Sequence, residues 1–138
     1  MKKIPLSALV MDFSLYPRHQ IDAGTVARLA DALEAGEAFP PIIVCKQTKK
    51  VIDGFHRCTV YQRAYKDDPE HAIEVELQEY ENDAARFADA LALNSRHGTK
   101  LTPFDLAHCI VLARSFGLSD EEVMSKAAIS ARKYKELV

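Results

Sequence analysis

Residues 51–65 read VIDGFHRCTVYQRAY, and this stretch decides how the rest of the chain is read. A short β-branched run ends at Asp53, Gly54 follows, and from His56 onward the composition becomes helical. Amides at the start of a helix have no partner inside it and aim outward, which suits an anion. Gly54 permits close approach of the main chain. Arg57 offers a planar donor fork that matches phosphate oxygens. His56 donates or accepts according to its protonation. The same pattern also fits an ordinary strand-to-helix turn in which Arg57 pairs with a carboxylate, and on physics alone the two readings stand level. The stretch is no Walker A loop, because the Gly-x-x-x-x-Gly-Lys pattern is missing.

Upstream of this turn, Pro40-Pro41 forces an extended entry into the β-rich run Ile42–Cys45, and polar Lys46–Lys50 predicts a hairpin back to Val51-Ile52. A helix precedes them, capped by Asp22, with Val26, Leu29, Ala30 and Leu33 on one face and Gly36 as its stop. Ile4 to Val10 reads as a short strand, and Asp12 to Gln20 as irregular around Pro17. Downstream, Asp67-Asp68-Pro69 is a loop, and Ile73, Val75 and Leu77 alternate with glutamates as in a half-buried strand. A helix is expected from about Asn82 to Leu93, packing through Ala85, Ala88, Leu91 and Ala92. After Gly98 the chain looks all-helical. Thr102 caps a helix with Pro103 and Asp105 behind it and Leu106, Cys109, Ile110 and Ala113 on its apolar face. Gly117 closes that helix, Ser119 with Glu122 forms a capping box for a second, and Ser130 caps a third. The boundary is expected between Arg96 and Leu101, giving a 1–98 domain and a 99–138 helical segment.

Composition limits the function classes. With 48% apolar and 28% charged residues, the 138-residue chain is globular and not disordered. A net charge of −2 excludes a uniformly basic nucleic-acid coat but not a local basic face, such as Arg132, Lys133 and Lys135 beside Glu136. Glutamates and aspartates crowd the third strand, a face that would repel DNA. The three cysteines form no Cys-x-x-Cys pair and read as reduced, apolar residues of a cytoplasmic protein. The N-terminus does not read as a signal peptide, and no stretch approaches the roughly 20 apolar residues of a membrane helix, so no membrane partner is expected. His19, His71 and His108 have no ligand-spaced partners, and no protein-caged metal is expected.

Three ordered pieces carry a family resemblance. Asp53-Gly54-Phe55-His56-Arg57 resembles the second motif of the ParB N-terminal-domain superfamily, usually Gly-Glu-Arg-Arg, in its Asp-Gly-x-His-Arg branch. Tyr16-Pro17-Arg18, with the following helix and Pro40–Val44, is similar to the first motif. Asn94-Ser95-Arg96-His97-Gly98 with Leu101 is similar to the third, in an Asn-x-x-His-Gly form seen in pathway-specific transcription regulators and in phage and plasmid proteins. The resemblance covers nearly the whole chain. It implies an α+β fold, a small ParB/sulfiredoxin-like mixed sheet with flanking helices, followed by a helix-turn-helix. It also implies a nucleoside triphosphate, CTP or ATP, held by Arg18, Gly54, Phe55, His56, Arg57, Asn94 and His97, with Mg²⁺ as a companion of the nucleotide. Phe55-His56 stands where Glu-Arg is usual, which leaves the base open. Sulfiredoxin's active cysteine would fall at Phe55, so that chemistry is not expected.

In the helix-turn-helix reading, Ser130, Arg132, Lys133 and Lys135 meet DNA: Arg132 at guanine, Lys133 and Lys135 at phosphate. The resulting expectation is a ParB-like DNA-binding protein, in transcription regulation or in plasmid or chromosome partition, with weak NTPase activity left open. The alternative is an ATP- or ADP-dependent small-molecule kinase or nucleotidase, like the free-serine kinase branch, with Asp53 as the weak candidate for a catalytic base. A nuclease ranks last, since no carboxylate cluster for two metals stands out. A homodimer is in keeping with the resemblance, and the abrupt stop at Val138 leaves open whether the chain is a fragment of a longer protein.

Overall fold

The computed structural model describes residues 2–18, 20–96 and 101–138. His97 and Gly98 of the third motif, and His19, lie outside the described residues. The chain divides into two compact units: Met1–Met11 with Gln20–Glu79, and Asp12–His19 with Tyr80–Val138. The stretch expected as a domain boundary, Arg96–Leu101, therefore falls inside the second unit's span.

The first unit is built on a four-stranded mixed sheet of β1 (Lys2–Pro5), β2 (Ile42–Cys45), β3 (Val51–Asp53) and β4 (Ala72–Gln78), in the order β1-β4-β2-β3. β4 runs antiparallel to β1 and parallel to β2, and β2 runs antiparallel to β3. Alternation decides which face of β4 is covered: Ile73 and Val75 are buried, whereas Glu74 and Glu76 are exposed. β1 is shorter than the expected Ile4–Val10. Pro5 has no amide to continue the ladder, and the chain enters a 3₁₀ turn at Leu6–Ala8. Val10 returns as a single bridge to Lys50 and partly covers the edge of β3.

Helix α1 (Ala23–Glu34) starts where Asp22 accepts a 2.8 Å bond from the Thr25 amide, and Gly36 ends it at φ +87°. Ala30, placed by spacing on the apolar face, is exposed; Val26 is buried, and Leu29 and Leu33 lie half-buried. α2 (Phe55–Ala64) packs on α1 and buries Phe55, Cys58 and Val60.

In the second unit α3 (Asp83–Arg96) outruns its expected end at Leu93, because nothing before Gly98 breaks it. Its central core residue is Phe87, fully buried with its ring 5.5 Å from that of Phe116, rather than Ala85 or Ala88. The expected apolar face of α4 (Pro103–Ser115) is buried throughout, from Leu106 to Ala113. Cys109 donates from Sγ to the Pro17 carbonyl at 2.8 Å, one bond that draws residues 12–18 into this unit. Burial raises the Cys58 thiol pKa to about 11. It raises that of Cys109 to about 12, with Asp105 adding to the rise. Among the described residues no helix is long and apolar enough to cross a membrane.

α5 (Asp120–Ala127) and α6 (Ala131–Leu137) carry the expected caps at Ser119 and Ser130, and both touch α4. The Tyr134 hydroxyl donates to Asp120 at 2.5 Å and ties α6 to the start of α5. Ala128 makes the turn between them in the left-handed region, φ +55° and ψ +45°. A Cβ there costs roughly 1–2 kcal/mol, while glycine adds about 0.4–1 kcal/mol of unfolded-chain entropy. Ala128→Gly is therefore expected to stabilise the protein by about 0.5–1 kcal/mol, read as a higher urea midpoint at constant m-value.

Candidate functional site: the Gly54 turn

β3 ends at Asp53 and α2 begins at Phe55, so the whole change of direction falls on Gly54, at φ +110° and ψ 29°. The other five helices start behind a side-chain cap, from Asp22, Asn82, Thr102, Ser119 or Ser130. Gly54 has no side chain to play that part, and α2 begins with no side-chain cap bond. The amide end of a helix dipole left in this way is chemically suited to an anion. Space confirms the need for glycine: a Cβ at position 54 would stand 3.0 Å from Ile42 Cγ1 and 3.1 Å from Arg57 Nη2.

Arg57 behaves differently from the expected phosphate fork. Its Nη1 donates to the Pro40 carbonyl at 2.7 Å and to the Pro41 carbonyl at 3.0 Å. Its Nη2 meets Asp53 Oδ2 at 3.4 Å, and the side chain is only 16% exposed. Of the two readings the sequence left level, the carboxylate partner is the one this geometry holds. Asp53, the weak candidate for a base, is thereby engaged with the guanidinium. Phe55 sends its ring into the core and the residue as a whole is 2% exposed. His56 accepts at Nε2 from the Asp22 amide, 3.1 Å away, and so links α2 to the start of α1. Asp22 has its pKa lowered by the Thr25 hydroxyl and amide, with His56 and Arg28 contributing.

Arg18 of the first motif and Asn94 of the third sit in the second unit. Arg18 Nε donates to Asn94 Oδ1 at 3.3 Å, and its Nη1 lies 3.7 Å from Asp105 Oδ2. Asn94 is on α3 rather than in a loop, donating to the Ala90 carbonyl at 3.0 Å. Asp105 is buried, closing the α4 capping box by accepting from the Thr102 amide. Reading Asp105 only as a cap missed its second role as the partner of Arg18. The Pro40 and Pro41 carbonyls were also missed. The available signal was that a proline pair has no N–H with which to enter a ladder, so its carbonyls seek donors elsewhere.

In α6, Arg132 is 91% exposed, with Glu136 3.8 Å away, and Lys135 is exposed. Lys133 is half-buried, and its amide donates to Ser130 Oγ at 3.1 Å. Among the described residues no group of three or more His, Cys, Asp or Glu side chains is placed to hold a metal ion.

No protein-family model matches the chain, and no curated protein matches it. Solved structures do. C-terminally truncated ParB from Caulobacter crescentus, a chromosome-partitioning protein complexed to the centromeric parS site, superposes with a TM-score of 0.62 at 15% identity, covering 99% of this chain and 70% of that one. The same truncated protein complexed with CTP-γ-S superposes at 0.57 and 16% identity, covering 99% and 75%. The chain has the ParB fold. At this identity the ParB likeness concerns the path of the backbone, and the roles of single side chains rest on the geometry above.

Within the ParB fold of this protein, a side chain at Gly54 meets both a left-handed φ and close neighbours. Gly54→Ala combines left-handed strain of about 1–3 kcal/mol with two sub-normal contacts, so a loss of about 2–3 kcal/mol is expected in urea unfolding. Because one of those contacts is Arg57, the Gly54→Ala/Arg57→Ala double variant is expected to lose less than the sum of the singles.

Proposed function

We propose that this protein is a ParB-like DNA-binding protein whose first unit binds a nucleoside triphosphate at the Gly54 turn. The observation that carries the reading is the start of α2: a left-handed glycine and a helix with no side-chain cap, in a ParB fold. One protein of this fold has been seen with CTP-γ-S and, in a second structure, with parS DNA, which supports both ligand classes. In this reading the main chain of Gly54, Phe55, His56 and Arg57 receives phosphate oxygens. Mg²⁺ accompanies the triphosphate and supplies charge neutralisation, with few ligands from the protein. α5 and α6 act as a helix-turn-helix in transcription regulation or partition. Arg132 reaches base edges, and Lys133 and Lys135 reach phosphate. The Arg132–Glu136 pair is an exposed contact worth little, so it does not hold Arg132 back from DNA. A kinase needs a carboxylate beside the transferred phosphoryl group, but Asp22 caps α1 and Asp53 is taken by Arg57, so no observation favours it.

Titration of the ¹⁵N-labelled protein with CTP and with ATP, each with Mg²⁺, is expected to give saturable amide shifts centred on residues 54–57. Shifts elsewhere and none at those amides would overturn the phosphate assignment. For DNA, Arg132→Ala with Lys133→Ala is expected to weaken binding at least about tenfold and to lower the salt slope by about one for the lost phosphate contact. An unchanged isotherm and slope would remove α6 from the interface.

A further inference from the structure

We infer that Asp53 is an internal competitor for the phosphate, setting the affinity of the Gly54 turn by holding the exchangeable half of the Arg57 guanidinium. The inference rests on the phosphate reading of that turn. The two halves of the guanidinium are held unequally. Nη1 makes bonds of 2.7 and 3.0 Å to two consecutive carbonyls, which fixes the plane of the group without involving any charge partner. Among the described residues, Nη2 meets the Asp53 carboxylate, at 3.4 Å, a long contact for a charge-assisted bond. Nη2 also lies against the turn itself, since the position a Cβ of residue 54 would take is 3.1 Å from it. A phosphate oxygen seated on the first turn of α2 therefore comes to the side of the guanidinium that Asp53 occupies.

Asp53 has little freedom to retreat on its own backbone, because it is paired in register with Ile43 of β2. Its side chain can rotate away, and at 23% exposure it can reach water when it does. Binding then exchanges one anion for another on Nη2: the carboxylate leaves, the phosphate oxygen enters, and no bond is broken covalently. While Asp53 stays, its negative charge opposes the incoming phosphate within a few ångströms. Either way the carboxylate lowers affinity, and the effect is electrostatic.

Asp53→Asn keeps the shape and removes the charge. Calorimetry with CTP and with inorganic pyrophosphate is expected to show affinity about tenfold tighter than wild type at low salt, falling to about twofold at 0.5 M salt as the repulsion is screened. A purely structural role for Asp53 would not produce a gain that depends on salt. Asp53→Ser repeats the measurement should the amide disturb folding. If wild type binds and the folded variants bind equally or more weakly, the competitor role is overturned while the phosphate site stands. If neither wild type nor the variants bind, the phosphate reading falls and this inference with it. Binding by the variants alone supports complete masking by Asp53.

Discussion

The hydrogen bonds from one guanidinium to the carbonyls of Pro40 and Pro41 hold the first unit's turn in place. Proline supplies acceptors without donors, so the segment leading into β2 cannot form a full two-way ladder with a neighbouring strand. Arg57 answers two of them at once from the first turn of α2, and its far side reaches back to the end of β3. The entry to β2, the end of β3 and the start of α2 thus meet on one planar group. Charge-assisted bonds of this kind are individually worth about 1.5–3 kcal/mol, more than a neutral pair, and losing the donor would leave part-buried acceptors unanswered. Gly54 is subordinate to this arrangement: the guanidinium lies where a larger residue's Cβ would need room.

The second unit solves a similar problem with similar parts. Arg18 spans from an irregular segment to Asn94 on α3 and to buried Asp105 at the start of α4. Asp105 is buried at 3% exposure, which is tolerable because both a main-chain amide and a guanidinium face it. In both units an arginine chosen from sequence as a ligand-binding fork is first of all a fastener of the fold. Donor forks that match phosphate also match carboxylates and carbonyls, and the residue type alone does not separate the two uses. What separates them is whether any donor is held loosely, as Nη2 of Arg57 is beside its firmly held Nη1.

This explains how far the residues could be read without coordinates. Caps and stops were legible because their chemistry is local: Asp22, Thr102, Ser119 and Ser130 each act within three residues of themselves. The apolar face of α4 and the alternation in β4 were legible for the same reason. Phe87 was missed because the helix was read through its alanines, although the one large apolar ring in that stretch had the most surface to bury. The recruitment of residues 12–18 into the second unit was not readable at all. It depends on Cys109 meeting a carbonyl 92 positions away. The carbonyl partners of Arg57 lay 16 and 17 residues upstream, beyond any helical or strand period, whereas its carboxylate partner Asp53 lies four residues away. For the site, the backbone turn and a carboxylate pairing were therefore legible, and the carbonyl partners were not.

Charge distribution sets the terms on which this fold can bind anions. The exposed positions of β4 carry Glu74 and Glu76, so the first unit offers a polyanion no broad attractive field there. The basic side chains proposed for DNA belong to α6, a different unit. In the proposed reading, the first unit's share in holding a triphosphate comes from short-range donors, the amides of one helical turn and half of one guanidinium. Under those conditions a single carboxylate beside the donors is not a minor perturbation. With no surplus of positive charge to dilute it, Asp53 decides how much of the guanidinium an incoming phosphate receives. The same carboxylate on a strongly basic surface would be one charge among many. Here it faces Arg57 directly, which is why the unequal hold on that one side chain governs the chemistry of the turn.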